Sequence, residues 1–263
     1  MSGILSNLRS TVIAGFVLTV VMVVIVVGVT GEGAPGGSAW ISFMWRWLHV
    51  LSAVMWIGLL WYFNFVQVPN MPNSPDDQKP AIGKVIAPAA LWWFRWAAMA
   101  TIVTGLLLAL GNGYLMQAMA LGLTDGVAKH TAIGIGMWLG IIMWFNVWFI
   151  IWPNQKIMIG LAEGDKTVAG PKAALASRTN TLLSLPMLYF MVASVHPVYN
   201  FAASGGAWAS VSITALIIGL VIIVVIEANV IWGKMLGLIQ SVSGVITSSI
   251  ILAIIMAGIV NYM

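Results

Sequence analysis

Cysteine is absent from the chain. Disulfides, thiolate metal sites, iron–sulfur clusters and covalently attached c-type haem therefore have no donors among these 263 residues. Charge is scarce as well: 7% of residues are Asp, Glu, Lys or Arg, against about 25% in an ordinary soluble domain. There are no paired acids at catalytic spacing, and no glycine-rich phosphate loop, nucleophile elbow or HExxH. Hydrolytic and nucleotide chemistry thus have no basis in the sequence. Histidine occurs three times, as His49, His130 and His196.

What is present is apolar: 61% of the residues are hydrophobic. A helix rising 1.5 Å per residue needs about 20 apolar residues to cross a hydrocarbon layer about 30 Å thick. Runs that meet this lie near 11–29, 40–66, 86–110, 131–152, 181–200, 208–230 and 240–261. They predict an all-α, polytopic transmembrane bundle of about seven spans forming one domain, 1–263. The stretch 112–128 is too short to cross unaided. It is expected as an interfacial or re-entrant helix, or as an eighth span if it inserts. The first run exceeds the apolar core of about 7–15 residues of a signal peptide and is expected to be a retained span. The loops 31–39 and 69–80 are turn-rich, and no internal repeat stands out.

Lys and Arg favour cytoplasmic loops. With the amino terminus inside, Arg9, Lys79, Lys84, Lys156, Lys166, Lys172, Arg178 and Lys234 fall on the cytoplasmic side and Lys129 outside. The formal charge of +4 reflects this topology, so no nucleic-acid partner follows from it. The membrane implied is a prokaryotic-type plasma membrane.

In this orientation all three histidines lie toward the outer face. At 100° per residue, Arg46, His49, Ala53, Trp56, Leu60 and Asn64 form one stripe, and Gly134, Met137 and Ile141 continue the face of His130. Tyr189 and Val192 lie beneath His196. Ala53 and Gly134 would leave room beside the imidazoles. An ionisable residue within a span is a candidate functional group, because its burial in lipid is costly. Two imidazoles from different helices suit a b-type haem, and an arginine one turn away suits a propionate. The expected cofactor is haem b, with His49 and His196 as iron ligands and Arg46 as the propionate partner. His130, beside Lys129 at a span boundary, is a further candidate, though an interfacial role suits it as well. Alternatives are copper or zinc held by the three histidines, or histidines that only hydrogen-bond between helices.

The aromatic clusters 92–96 and 144–152 suit an inner interfacial belt from which Arg95 snorkels. Glu227 is expected to pair with Lys234 or Arg95, and a proton-entry role is open to it. Asn64, Asn146 and Glu227 would line a path if the protein were a metal or small-molecule permease.

The stretches "WLHVLSAVMWIGLLWYFNFVQVP" (47–69), "APAALWWFRWAAMATIVTG" (87–105), "IGIGMWLGIIMWFNVWFIIWPNQKIMIG" (133–160) and "ASRTNTLLSLPMLYFMVASVHP" (176–197) resemble the membrane-embedded region of the PuuD-type urate hydroxylase family, the urate oxidase N-terminal domain. The resemblance covers most of 40–200, and the runs 11–29, 208–230 and 240–261 are additional spans. The helix carrying His49 ahead of "WIG" (56–58) is also similar, more loosely, to the histidine-bearing helix of copper-resistance permeases and of a membrane protoporphyrinogen oxidase. These resemblances imply a haem or redox role for that helix. The PuuD pattern commonly ends in a cytochrome c domain, and no CxxCH occurs here. The implied function is oxidoreductase-like electron transport near the outer face to a separate cytochrome c or a larger membrane complex, with urate a substrate by resemblance only. A different class of function, accessory subunit of a respiratory or oxidase complex, is the alternative.

Overall fold

A computed structural model describes residues 2–31, 37–196, 213–234 and 237–262. Parts of the loop 31–39 and the segments 197–200 and 208–212 of the fifth and sixth apolar runs lie outside the described residues. The principal helices are α1 (Leu8–Thr30), α2 (Ser38–Asn73), α3 (Lys79–Gly111), α4 (Leu115–Met119), α5 (Ala128–Met158), α6 (Lys166–Ala193), α7 (Ile213–Trp232) and α8 (Val242–Tyr262). No strand occurs among the described residues.

Six of these, α1, α2, α3, α5, α7 and α8, are long and apolar enough to cross a membrane. The chain is thus a helical, multi-pass membrane protein. The segment 112–128 forms only the five-residue α4 and a series of turns, too little to cross. α6 is 28 residues long yet too polar to join the six, because Arg178, Thr179, Asn180, Thr181 and Ser184 are all buried on it. It is the central helix, and its polar groups face protein and not lipid.

Residues Met1–Trp45 and Arg46–Met263 form two compact units. In the first, the Asn7 side chain accepts from the Arg9 and Ser10 amides to start α1, and Gly31 ends it at φ 66°. No side chain of α1 is buried.

The second unit carries a regular backbone device. π-helical segments occupy Tyr62–Gln67, Ile82–Ile86 and Asn146–Ile151, and each ends two residues before a proline: Pro69, Pro88 and Pro153. A proline lacks the N–H for the carbonyl four residues back, and its ring collides with that carbonyl. Here the preceding residue reaches back five instead, as Val68 N–H does to Phe63 O and Trp152 N–H to Val147 O. The added residue relieves the collision without breaking the helix. Asn70 and Asn154, each following its proline, then donate Nδ2–H to Val66 O at 2.8 Å and Ile150 O at 2.7 Å. Pro186 in α6 is handled differently: the carbonyl it orphans, Leu182 O, accepts from Ser249 Oγ of α8 at 2.6 Å.

The shared device accompanies a recurring sequence pattern where no repeat was expected. Trp56-x-Gly58-x4-Phe63-Asn64 in α2 recurs in α5 as Trp138, Gly140, Phe145 and Asn146 with the same spacing, and each copy leads to Pro-Asn. The helices that follow match too, since Pro88 precedes Arg95, and Pro171 precedes Arg178, by seven residues. α2–α3 and α5–α6 thus share a sequence pattern at offsets of 82 to 84 residues, although α6 has no π-helical segment ahead of Pro171.

Candidate functional site

From His49 onward the α2 stripe faces inward as its spacing predicts: His49 and Ala53 are half-buried and Trp56, Leu60 and Asn64 are buried, while Val50, Val54 and Met55 are exposed; Arg46, at the head of the stripe, is exposed. His49 meets α3. Its Nδ1 lies 2.9 Å from Thr101 O and 3.4 Å from Thr104 Oγ1. The Thr104 hydroxyl is already donated to Ala100 O at 2.6 Å, so both neighbours of Nδ1 can only accept. The imidazole hydrogen must sit on Nδ1, leaving the lone pair on Nε2. Space for the ring comes from Gly105, where a Cβ would lie 2.8 Å from His49 Cε1 and 3.0 Å from Nδ1. Two turns further along α2, Trp56 Nε1–H is buried with no acceptor.

Gly105, Thr101 and Thr104 were not expected at the site. They lie more than 50 positions from His49, on a helix whose apolar pattern carries no sign of an imidazole partner. Gly134 was expected to make room beside an imidazole. It serves a different contact, because Ala118 O occupies the place of its missing Cβ. The turns after α4 are further tied to α5 by Thr131 Oγ1 donating to Leu121 O at 2.8 Å and Trp138 Nε1 donating to Met119 O at 3.1 Å.

At the same end of the unit a polar group links three elements. The ring of His130 stacks on Tyr114 at 6.2 Å, and its Nδ1 lies 2.5 Å from Asp125 Oδ2. Arg46 stands close enough to act on the Tyr114 phenol. Burial pushes that phenol up from its ordinary value, and the positive charge of Arg46 partly opposes this. Desolvation works against ionisation of Asp125, but hydrogen bonds from His130 and from Val127 N–H, with the attraction of His130, hold the carboxyl below the ordinary carboxylate range. His196 is on an exposed turn just past the end of α6. No group of three or more His, Asp or Glu side chains stands close enough to hold a bare metal ion among the described residues.

Glu227 pairs with neither Lys234 nor Arg95. Its Oε2 accepts from Asn146 Nδ2 at 3.0 Å. Lys234 is exposed. The Arg95 guanidinium lies 3.9 Å from the ring centroid of Trp152 and 5.4 Å from that of Trp148, so the aromatic clusters hold it against the protein. The reason is geometric: Trp148 and Trp152 are four apart on α5 and face α3. Asn64 and Asn146 are closed into hydrogen bonds, Asn64 with Leu60 O and Ser177 Oγ and Asn146 with Asn180 and Glu227, and do not line an open path.

Residues 107–257 match the family model described as urate oxidase N-terminal. No curated protein and no solved structure matches the chain. The matched stretch begins in α3, takes in α4 to α7 and ends in α8, and so includes the last helices, whose sequences are generic apolar runs. It covers more than half of the 263 residues, and on that ground the chain belongs to the urate oxidase N-terminal family.

Proposed function

We propose that the chain is a b-type haem redox protein of a prokaryotic plasma membrane, with its histidine-bearing end outward, and that it passes electrons to a separate cytochrome c. The observation that carries this reading is the His49 tautomer. An imidazole that donates Nδ1–H to a backbone carbonyl keeps its unprotonated Nε2 free and is prepared as a ligand, since the carbonyl fixes the tautomer and the ring's orientation. Haem needs one or two such nitrogens, whereas bare copper or zinc needs a cluster.

What supports a fit to that group is the donor chemistry: one imidazole with Nδ1 engaged and Nε2 free, and a guanidinium one turn away on the same helix. His49 would hold the haem iron through Nε2, and His196, on its exposed turn, is the candidate for a second imidazole. His130 is held by Asp125 and Tyr114 and serves the polar group at the outer face. Arg46, exposed one turn outward of His49, would pair with a propionate through charge-assisted hydrogen bonds. A haem held there would supply one-electron transfer at low-spin iron. The chain's own work is to fix the imidazole through Thr101 and Gly105, to offer cations to the propionates and to keep lipid from the ring. With Arg178 buried within α6, seven of the basic residues, Arg9, Lys79, Lys84, Lys156, Lys166, Lys172 and Lys234, support this orientation by the bias of cytoplasmic loops.

The test is electron transfer itself. Detergent-purified protein, reduced chemically under anaerobic conditions, is mixed with an oxidised soluble c-type cytochrome. The reading expects the c-type absorbance of the reduced cytochrome to appear as the b-type absorbance decays. Urate, named by the family description, is then added to the oxidised protein as candidate donor. A reduced protein that never yields electrons faster than detergent alone would remove the electron-transfer reading.

A further inference from the structure

The haem reading makes no use of the polar cluster in the interior of the unit, where Asn146, Asn180 and Glu227 meet from three helices. Asn146 and Asn180 are fully buried, at 0% exposure each. Their amide orientations are determined by the network. Met143 O can only accept, so Asn180 turns Nδ2 toward it at 2.8 Å. Asn180 Oδ1 then faces Asn146 Nδ2 at 3.0 Å, and the same Nδ2 donates its other hydrogen to Glu227 Oε2 at 3.0 Å. Both donors of Asn146 are spent.

Two buried acceptors are left over, Asn146 Oδ1 and Glu227 Oε1, and neither has a partner. The cluster is one donor short. Its counterpart in α2 is not: Asn64 donates to Leu60 O and Ser177 Oγ, and none of its buried atoms is unpartnered. What distinguishes the α5 cluster is the carboxyl brought in by α7. An unpaired charge here would be costly. Among the described residues no charged group on the packed elements is hydrogen-bonded to the cluster, although Arg178 of α6 is buried with its own Nη1 unpartnered. Lys172 of α6 donates to Ile231 O at 2.7 Å. Arg178 is two residues, or about 200°, around α6 from Asn180, and Lys166 and Tyr189 lie toward its ends. On α5, Lys129 and His130 are at the far end and Lys156 is past Pro153. The described side chains of α8 include no titratable group.

We propose that Glu227, Asn146 and Asn180 form a proton-binding site within the bundle, with the proton on Glu227 Oε1 and Asn146 Oδ1 the acceptor that receives it. One proton supplies the missing donor and removes the unpaired charge at once. Asn180 is a positioning residue, which accepts one hydrogen of Asn146 Nδ2 and so sets which end of that amide is the donor. The site exchanges protons without any redox step, and it stands whether or not haem is bound.

The experiment is infrared spectroscopy of the full chain in lipid at neutral pH. Only seven carboxyl side chains contribute, and Glu227 is the one on a membrane-spanning helix. The wild type should show a protonated-carboxyl C=O band that shifts on deuteration and is lost in Glu227→Gln. In Asn146→Leu the band should persist and move to higher frequency, because its hydrogen-bond acceptor is gone. Raising the pH on the wild type, with the amide band unchanged, should remove the carboxyl band, which keeps the question open to test if both variants fail to fold. Loss of a carboxylate band in Glu227→Gln, with no acid band in the wild type, would overturn the proposal. So would removal of the acid band by sodium chloride but not by choline chloride at fixed pH, which would make the ligand a metal cation.

Discussion

His49 Nδ1 lies 2.9 Å from the carbonyl oxygen of Thr101, and this contact decides which nitrogen of the ring can bind a metal. The carbonyl fixes the proton on Nδ1, and the α3 backbone can approach that closely because residue 105 is glycine.

Gly105→Ala places a methyl group 2.8 Å from His49 Cε1, and the ring has to move. Overpacking of this kind costs about 1–3 kcal/mol. The expected outcome is a lower melting temperature in detergent together with reduced porphyrin retention. Gly58→Ala is the control, since open space surrounds that position and alanine gains up to about 1 kcal/mol of helix propensity. Equal behaviour of the two variants would show that the imidazole does not depend on the notch.

Ser249 answers the carbonyl that Pro186 leaves without a donor. Ser249→Ala should destabilise by about 1–3 kcal/mol, the cost of a buried carbonyl left unpaired. Pro186→Ala restores an N–H to the ladder, so the serine substitution should cost less in that background. A double-mutant cycle by thermal unfolding reads the coupling, and strict additivity would separate the two residues.

The Asp125–His130 contact gives the turns between α4 and α5 an acid dependence whose sign is fixed. The Asp125 carboxyl is held below its ordinary range, so its stabilisation is complete above the unfolded carboxylate pKa of about 3.9 and is lost as pH falls through the folded value. Amide exchange protection at 120–128 should be flat from neutral pH to about 4 and fall below that. Asp125→Asn should lower protection at neutral pH and remove the acid step. An unchanged acid step in the variant would assign it to another carboxylate.

Arg95 rests over Trp152 at 3.9 Å, a cation–π contact worth about 0.5–2 kcal/mol. Trp152→Leu should lower thermal stability by that order, and Arg95→Gln by a similar amount. The double variant should cost less than the sum. Full additivity would return Arg95 to a role at the lipid interface.

The helices were legible because lipid sets their length, and apolar runs of that length are hard to mistake. α6 was harder. Its centre, Arg178 to Ser184, is polar enough to read as a loop flank, and only the surrounding helices show that these groups face protein. Arg46, His49 and Trp56 could be placed on one face from the helical period alone. Their partners could not, because Thr101, Thr104 and Gly105 are set by how α2 and α3 cross. Glu227 misled for the same reason: charge complementarity pointed to Lys234 or Arg95, while the packing of α5, α6 and α7 delivered the neutral amide of Asn146. The pattern W-x-G-x4-F-N shared by α2 and α5 was visible in principle, but its link to backbone geometry emerged from the π turns ahead of Pro69 and Pro153.

The central claim is that His49 holds a haem through Nε2. It is tested most directly by counting porphyrin per chain, with a pyridine haemochromogen assay and a reduced-minus-oxidised spectrum, in the purified wild type and in His49→Ala, both expressed with haem supplied. The account predicts a b-type signal near one per chain in the wild type, lost in a variant that still inserts in the membrane. A folded wild type with no porphyrin, or a His49→Ala protein with an unchanged spectrum, would contradict it.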